Sequence, residues 1–209
     1  MNRHPLSQVR YDLSIIAGWI TPGSKVLDLG CGQGELLEYL LAFKNVRGFG
    51  VEQDEDKAAE GIARGVSILQ GDLIREITDY PDGFFDFVVL SQTLQQVPTP
   101  LELIMEMLRV GKRGIVSFPN FAHWRNRCQL FFQGQAPVTP ELPFDWHDTP
   151  NIRVVTLKDF TRFCLKNAVT IEDAVAIKRS LTQTTGLVVK RLPNLMATHG
   201  IFLIRGDGE

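Results

Sequence analysis

Apolar residues in the first 120 positions fall in short continuous runs rather than alternating with polar ones. KVLDLG, VRGFGVE, VSILQGD, FFDFVVLS and RGIVSFPN are five such runs. A run of this kind predicts a strand covered on both faces, as in a parallel sheet sandwiched by helices. Between the runs the period lengthens. ELLEYLLAF places Leu36, Leu37, Leu40 and Leu41 on one helical face, and PLELIMEMLRV carries Pro100 in its first turn. DEDKAAEGIAR is a third helix, with Asp54 as its expected cap. SIIAGWI closes an N-terminal helix that TPGS breaks. Strand and helix alternate, so residues 25–120 predict a doubly wound α/β core.

Beyond Pro119 the rhythm breaks. NFAHWRNRCQLFFQGQ predicts a helix, and APVTPELPFDWHDTPN holds four of the chain's eleven prolines and no period, predicting a long ordered loop. Loops of that length in a compact domain are usually functional or disordered, and Phe144 and Trp146 argue against disorder. TLKDFTRFCLKN restores a helix with Leu157, Phe160 and Leu165 facing the core, and VTIEDAVAI and HGIFLIR are two further strands. The organisation expected is one domain over residues 1–209. A ligand-binding half spans 25–120, an insertion 121–153 and the rest of the sheet 154–209.

Composition narrows the function classes. The chain has 209 residues, is 44% hydrophobic and carries a net charge of −2. That balance lacks the basic footprint of a nucleic-acid binder. No apolar run reaches the ~18 residues of a membrane span. Charges at Arg10 and Asp12 argue against a signal peptide. Cys31, Cys128 and Cys164 form neither a metal spacing nor an even framework, so a reducing, cytoplasmic compartment is expected.

The candidate chemistry lies in VLDLGCGQG, residues 26–34. A strand that runs through an acid, Asp28, into Gly30, Gly32 and Gly34 presents loop amides and a helix N-terminus to a ligand. A dinucleotide fingerprint needs G-x-G-x-x-G, and its third glycine position is Glu35 here, an anion where a pyrophosphate would approach. The spacing present suits a ligand with a zwitterionic amino-acid tail. Asp28 would hold the ammonium and loop amides the carboxylate.

This motif resembles the first motif of class I S-adenosylmethionine-dependent methyltransferases. What that resemblance implies is a Rossmann-like fold, with a mostly parallel seven-stranded sheet and an antiparallel last strand. It further implies S-adenosylmethionine or S-adenosylhomocysteine as cofactor, held by Asp28, Gly30, Cys31, Gly32 and Gly34. Glu52, with Gln53 beside it, matches the acid that binds the ribose hydroxyls. Asp72 and Leu73 match the adenine contacts, and Ser91 and Gln92 the lining of the methyl-donor pocket.

A longer resemblance spans most of the chain. RYDLSIIAGWI, SQTLQQV, FPNFAHWRNRCQLFFQG and WHDTPNIRVVTLKDF together resemble the MetW family of methionine-biosynthesis proteins. That resemblance implies a cytoplasmic protein in a hetero-complex with a homoserine O-acetyltransferase or O-succinyltransferase. Neither membrane nor nucleic acid is expected as a partner. A self-sufficient small-molecule methyltransferase is the alternative.

No catalytic base is evident after the fourth strand. Ser91, Gln92, Thr93, Gln95 and Gln96 do not titrate near neutrality. His147 beside Asp148 reads as a surface pair. His123 is equally a pocket residue or a helix-start residue against Trp124. Cys31 is expected to be structural, a small side chain inside a tight loop. Trp124, Phe131, Phe132, Phe144 and Trp146, with nearby arginines, are candidate anchors for a partner or a lid over the pocket.

Overall fold

The computed structural model describes residues 10–180 and 184–206. The few positions of the expected 1–209 domain outside those ranges, and part of the polar stretch before the last strand, lie outside the described residues.

The elements run α1 (Tyr11–Trp19), β1 (Lys25–Leu29), α2 (Glu35–Lys44), β2 (Arg47–Glu52), α3 (Glu55–Ala63), β3 (Ile68–Gln70), α4 (Leu73–Thr78) and β4 (Phe85–Ser91). They continue with α5 (Pro100–Val110), β5 (Gly111–Pro119), α6 (Trp124–Gln133), α7 (Leu157–Lys166), β6 (Val169–Arg179), β7 (Gly186–Val188), α8 (Pro193–Met196) and β8 (His199–Gly206). One sheet holds all the strands in the order β3-β2-β1-β4-β5-β8-β6-β7. β1 to β5 pair in parallel, and β8 enters antiparallel between β5 and β6.

The fold class is the one expected, with the last strand reversed, but among the described residues the sheet has eight strands rather than seven. The extra one, β7, spans only Gly186–Val188 and pairs antiparallel with the end of β6. Three residues in a polar stretch give no period to read. α4 too has no counterpart among the elements expected from the sequence. It is a six-residue helix whose cap, Asp72, accepts from the amides of Ile74 and Arg75.

Helices cover both sheet faces. One apolar cluster packs Leu27, Leu29, Val88 and Leu90 against Ile104 and Met107 of α5 and Phe160 of α7. The other packs Val26, Phe87, Val89, Ile115, Ile177 and Ile201 against Leu13 and Ile16 of α1 and Leu37 and Leu40 of α2. The Lys44 ammonium donates to the carbonyls of Ala17 and Ile20, tying the end of α2 to the end of α1.

On α7 the buried residues are Leu157, Phe160 and Cys164. Leu165, expected in the core, is 80% exposed. Steps of three and four return to one face of a helix, and the eighth position is rotated off it. The 134–153 segment holds no helix or strand and is largely exposed, with Thr139 and Leu142 forming an isolated bridge.

Candidate functional site

The carboxyl ends of the parallel strands and the reversal between β1 and β4 create a switch point, where open α/β sheets bind ligands. VLDLGCGQG is placed there. Gly30, Gly32 and Gly34 have φ of +70°, +56° and +74°, a region that L side chains enter at a cost. A Cβ on Gly30 would also lie 2.5 Å from Thr93 Oγ1, so β1's exit and β4's exit are in close contact. Gly34 is the residue from which α2 starts, in the left-handed conformation.

Asp28 is buried at the end of β1, and its Oδ1 has no hydrogen-bond partner. Burial, with Glu52 adding to it, pushes its pKa up to about 7 against the opposing pull of Arg10. A buried carboxyl oxygen without a partner is costly unless a ligand satisfies it. Glu52 closes β2 and accepts from the Gly32 amide at 2.7 Å and the Asp54 amide at 2.9 Å, one on each oxygen. Each oxygen keeps a further lone pair for a ligand hydroxyl. Cys31 packs its Sγ where a Cβ on Gly50 would fall, and burial pushes its thiol up, so it is a packing residue. Gln53 is exposed and its carbonyl receives the Gln70 side-chain amide at 3.3 Å. Asp72 spends Oδ1 on capping α4, and Leu73 packs partly into the core beside it.

Ser91 and Gln92 leave β4 on the same edge. Ser91 Oγ meets Ser117 Oγ at 3.0 Å, and Gln92, at φ +56°, donates through Nε2 to Asp12 Oδ2 at 2.5 Å. Sequence reading did not single out Asp12 as a site residue. It sits in α1, fully buried, and also receives Arg10 Nη2 at 2.9 Å and Arg179 Nη1 at 3.5 Å. Burial pushes Asp12 up, but Arg10 and then Arg179 outweigh that and hold it near 2.

Strand parity explains the grouping. Side chains two apart share a face. Asp28, Ser91, Ser117, Arg179 and His199 follow Val26, Val89, Ile115 and Ile177, or precede Ile201, all of which face α1 and α2. They form a polar band at the carboxyl edge of an otherwise apolar face, and α1 lies across it with Asp12. His199 Nδ1 contacts Thr198 Oγ1 at 2.9 Å, while its Nε2 is buried and unpartnered. Burial, and then Arg179, lower its pKa to about 3. His123, at the start of α6, is likewise buried with an unpartnered Nε2, and burial lowers its pKa. His147 is exposed. An acid at the start of an apolar helix and an arginine ending a strand were the available signals for Asp12 and Arg179. His199, opening the last strand, offered none.

A family profile described as "Methionine biosynthesis protein MetW" matches residues 10–204. A relative from Rhodopirellula baltica, described as a bifunctional methionine biosynthesis protein MetXA/MetW, is 40% identical over 149 residues, 67% of this chain and 24% of that protein. A ubiquinone biosynthesis O-methyltransferase from Hahella chejuensis is 31% identical over 151 residues, 69% of this chain and 63% of that one. The chain thus spans less than two thirds of either curated relative. A solved S-adenosylmethionine-dependent methyltransferase from Archaeoglobus fulgidus superposes with a TM-score of 0.66 at 19% identity, covering 97% of this chain and 95% of that one. These likenesses establish the fold.

Proposed function

Because the chain belongs to the MetW family of methionine biosynthesis proteins, we propose that it binds S-adenosylmethionine and serves a homoserine O-acyltransferase as an accessory or regulatory partner. The observation that carries the partner role is the Rhodopirellula baltica relative, whose description joins MetXA and MetW in one bifunctional protein. We read MetXA as the acyltransferase. Two activities fused in one relative commonly meet as separate chains in another.

The residues present fit the cofactor. The orphaned Asp28 oxygen suits an ammonium, the spare lone pairs of Glu52 suit two ribose hydroxyls, and Asp72 keeps Oδ2 for an adenine amino group. The glycine loop lets the backbone come close to the ligand. When bound, the cofactor supplies an activated methyl group. The sequence argument against catalysis was the lack of a base after β4. His123 and His199 stand on the same edge with unpartnered Nε2 atoms, but burial lowers the pKa of both, that of His199 to about 3, which weakens each as a base. The second reading is a self-sufficient methyltransferase acting on an amine or thiolate, acceptors that need less help from a base.

One reconstitution separates the two. Purified homoserine O-acyltransferase is assayed with and without this protein, and with and without S-adenosylmethionine, while labelled methyl transfer is followed in parallel. A partner changes acyltransferase turnover and moves no label. Label transferred to any acceptor by the isolated protein overturns the accessory reading. Glu52→Ala is expected to weaken cofactor binding by ~1.5–3 kcal/mol, as loss of charge-assisted hydrogen bonds. Calorimetry showing no binding by the native protein at millimolar cofactor removes the cofactor itself.

A further inference from the structure

Among the described residues, Asp12 is the one carboxylate of the polar band in salt-bridge contact with a guanidinium, and Arg10 and Arg179 both reach it. Arg10 takes the good geometry, donating through Nε and Nη2 to the two oxygens, and Gln92 adds a third donor. Among the described residues the Arg179 guanidinium is left with a single contact, of 3.5 Å, at the outer limit of a hydrogen bond. Its side chain is only 9% exposed, so water reaches little of it. A guanidinium carries five N–H donors in a planar fork. Burial, and the neighbouring Arg10, disfavour charge on Arg179 more than Asp12 favours it, and only Glu141 of the 134–153 loop adds a further pull. Yet a guanidinium stays ionised in a protein. His199, whose ring feels the Arg179 charge, has a buried and unpartnered Nε2, and so does His123 near it, an observation independent of the Arg179 geometry. Thr198 ties the two strands here, since its hydroxyl accepts from the Arg179 amide at 3.1 Å and contacts His199 at 2.9 Å.

We propose that Arg179 is the anion-recognising residue of a small-ligand site on this edge, and that its ligand is a small carboxylate. A carboxylate matches the free fork of Arg179 and supplies the charge that Asp12 shares out. The imidazoles then face the ligand's polar substituents. Two sources offer that chemistry, the amino-acid end of the cofactor and a separate acid bound beside it. The first rests on the cofactor reading above, because Arg10 bridges from Asp12 towards Asp28 and Glu35.

The test is calorimetry on the full chain and on Arg179→Gln and Arg179→Lys, with thermal melts as a folding control. Asp12 keeps Arg10 in both variants, and Arg179→Lys retains the charge if Arg179→Gln fails to fold. The probes are S-adenosylhomocysteine, 5′-methylthioadenosine, which lacks the amino-acid tail, and L-homoserine, L-methionine and succinate, with 3-aminopropan-1-ol as homoserine without its carboxylate. If the cofactor is the source, Arg179→Gln weakens S-adenosylhomocysteine about ten- to a hundredfold and leaves methylthioadenosine unchanged. If the acid is separate, S-adenosylhomocysteine is unaffected. One of the three acids then loses its binding, and aminopropanol binds to neither protein. Arg179→Lys falls between. Wild-type affinity for every probe in Arg179→Gln overturns the proposal, as does a wild-type protein that binds no probe through its carboxylate. Failure of the wild type to bind either nucleoside sinks the cofactor reading alone, since the acids are also titrated against the cofactor-free protein.

Discussion

Asp28 sets a cost at the entry to the glycine loop. Its folded pKa, near 7, lies above the ~3.9 of an exposed aspartate. The folded state therefore holds the proton more tightly than the unfolded one, and stability falls as pH rises from about 4 to about 7. Asp28→Asn, which carries no charge, is expected to melt higher than the native protein at pH 8 and with little difference at pH 4. It is also expected to lose cofactor affinity. Melting curves at the two values check this, and an equal shift at both rules out ionisation as the cause. Asp12 behaves oppositely. Held near 2, it stabilises the fold above pH 4, and that contribution disappears as pH falls through 2. Asp28 and Glu52 were legible because they stand at strand ends within a motif of fixed spacing. Asp12 and Arg179 were not, because 167 residues separate the two members of that ion pair.

At the level of elements, the exits of β1 and β4 are fitted to each other at Gly30 and Thr93. Gly30→Ala adds ~1–2 kcal/mol of backbone strain at positive φ and a collision with the Thr93 side chain. Thr93→Ala removes the hydroxyl and methyl that the new Cβ would strike. The pair is therefore expected to be less destabilised than the sum of the single variants, with the φ penalty remaining. Denaturant unfolding of the four proteins measures that difference, and simple additivity counts against the contact. The parallel strands were readable as continuous apolar runs because both faces are covered. The core face of α7 was half readable. Leu157 and Phe160 keep helical spacing, but Cys164 takes the place assigned to Leu165, since hydrophobicity alone favours the leucine and geometry favours the cysteine.

Across the whole molecule, the aromatics of the insertion do not fold down as a lid. Phe131, Phe132 and Trp146 are 82%, 77% and 79% exposed. Exposed aromatic groups suit a partner surface, and under the proposed function that partner is the acyltransferase. Phe131→Ser with Phe132→Ser is expected to fold normally and lose at least tenfold in affinity for the enzyme, read by biolayer interferometry. Unchanged affinity excludes α6. Their exposure was not legible, because a run such as LFFQ reads equally as core. The position of β8 carries a different consequence, for the time course of synthesis. The last strand in the sequence lies inside the sheet, between β5 and β6. A ribosome extending the chain releases β1 to β5 first, and until β8 follows, β5 keeps a bare hydrogen-bonding edge. Such edges recruit strands from other molecules. Nascent chains stalled before residue 199 should therefore be the ones that chaperones engage, and chains extended past β8 should escape them.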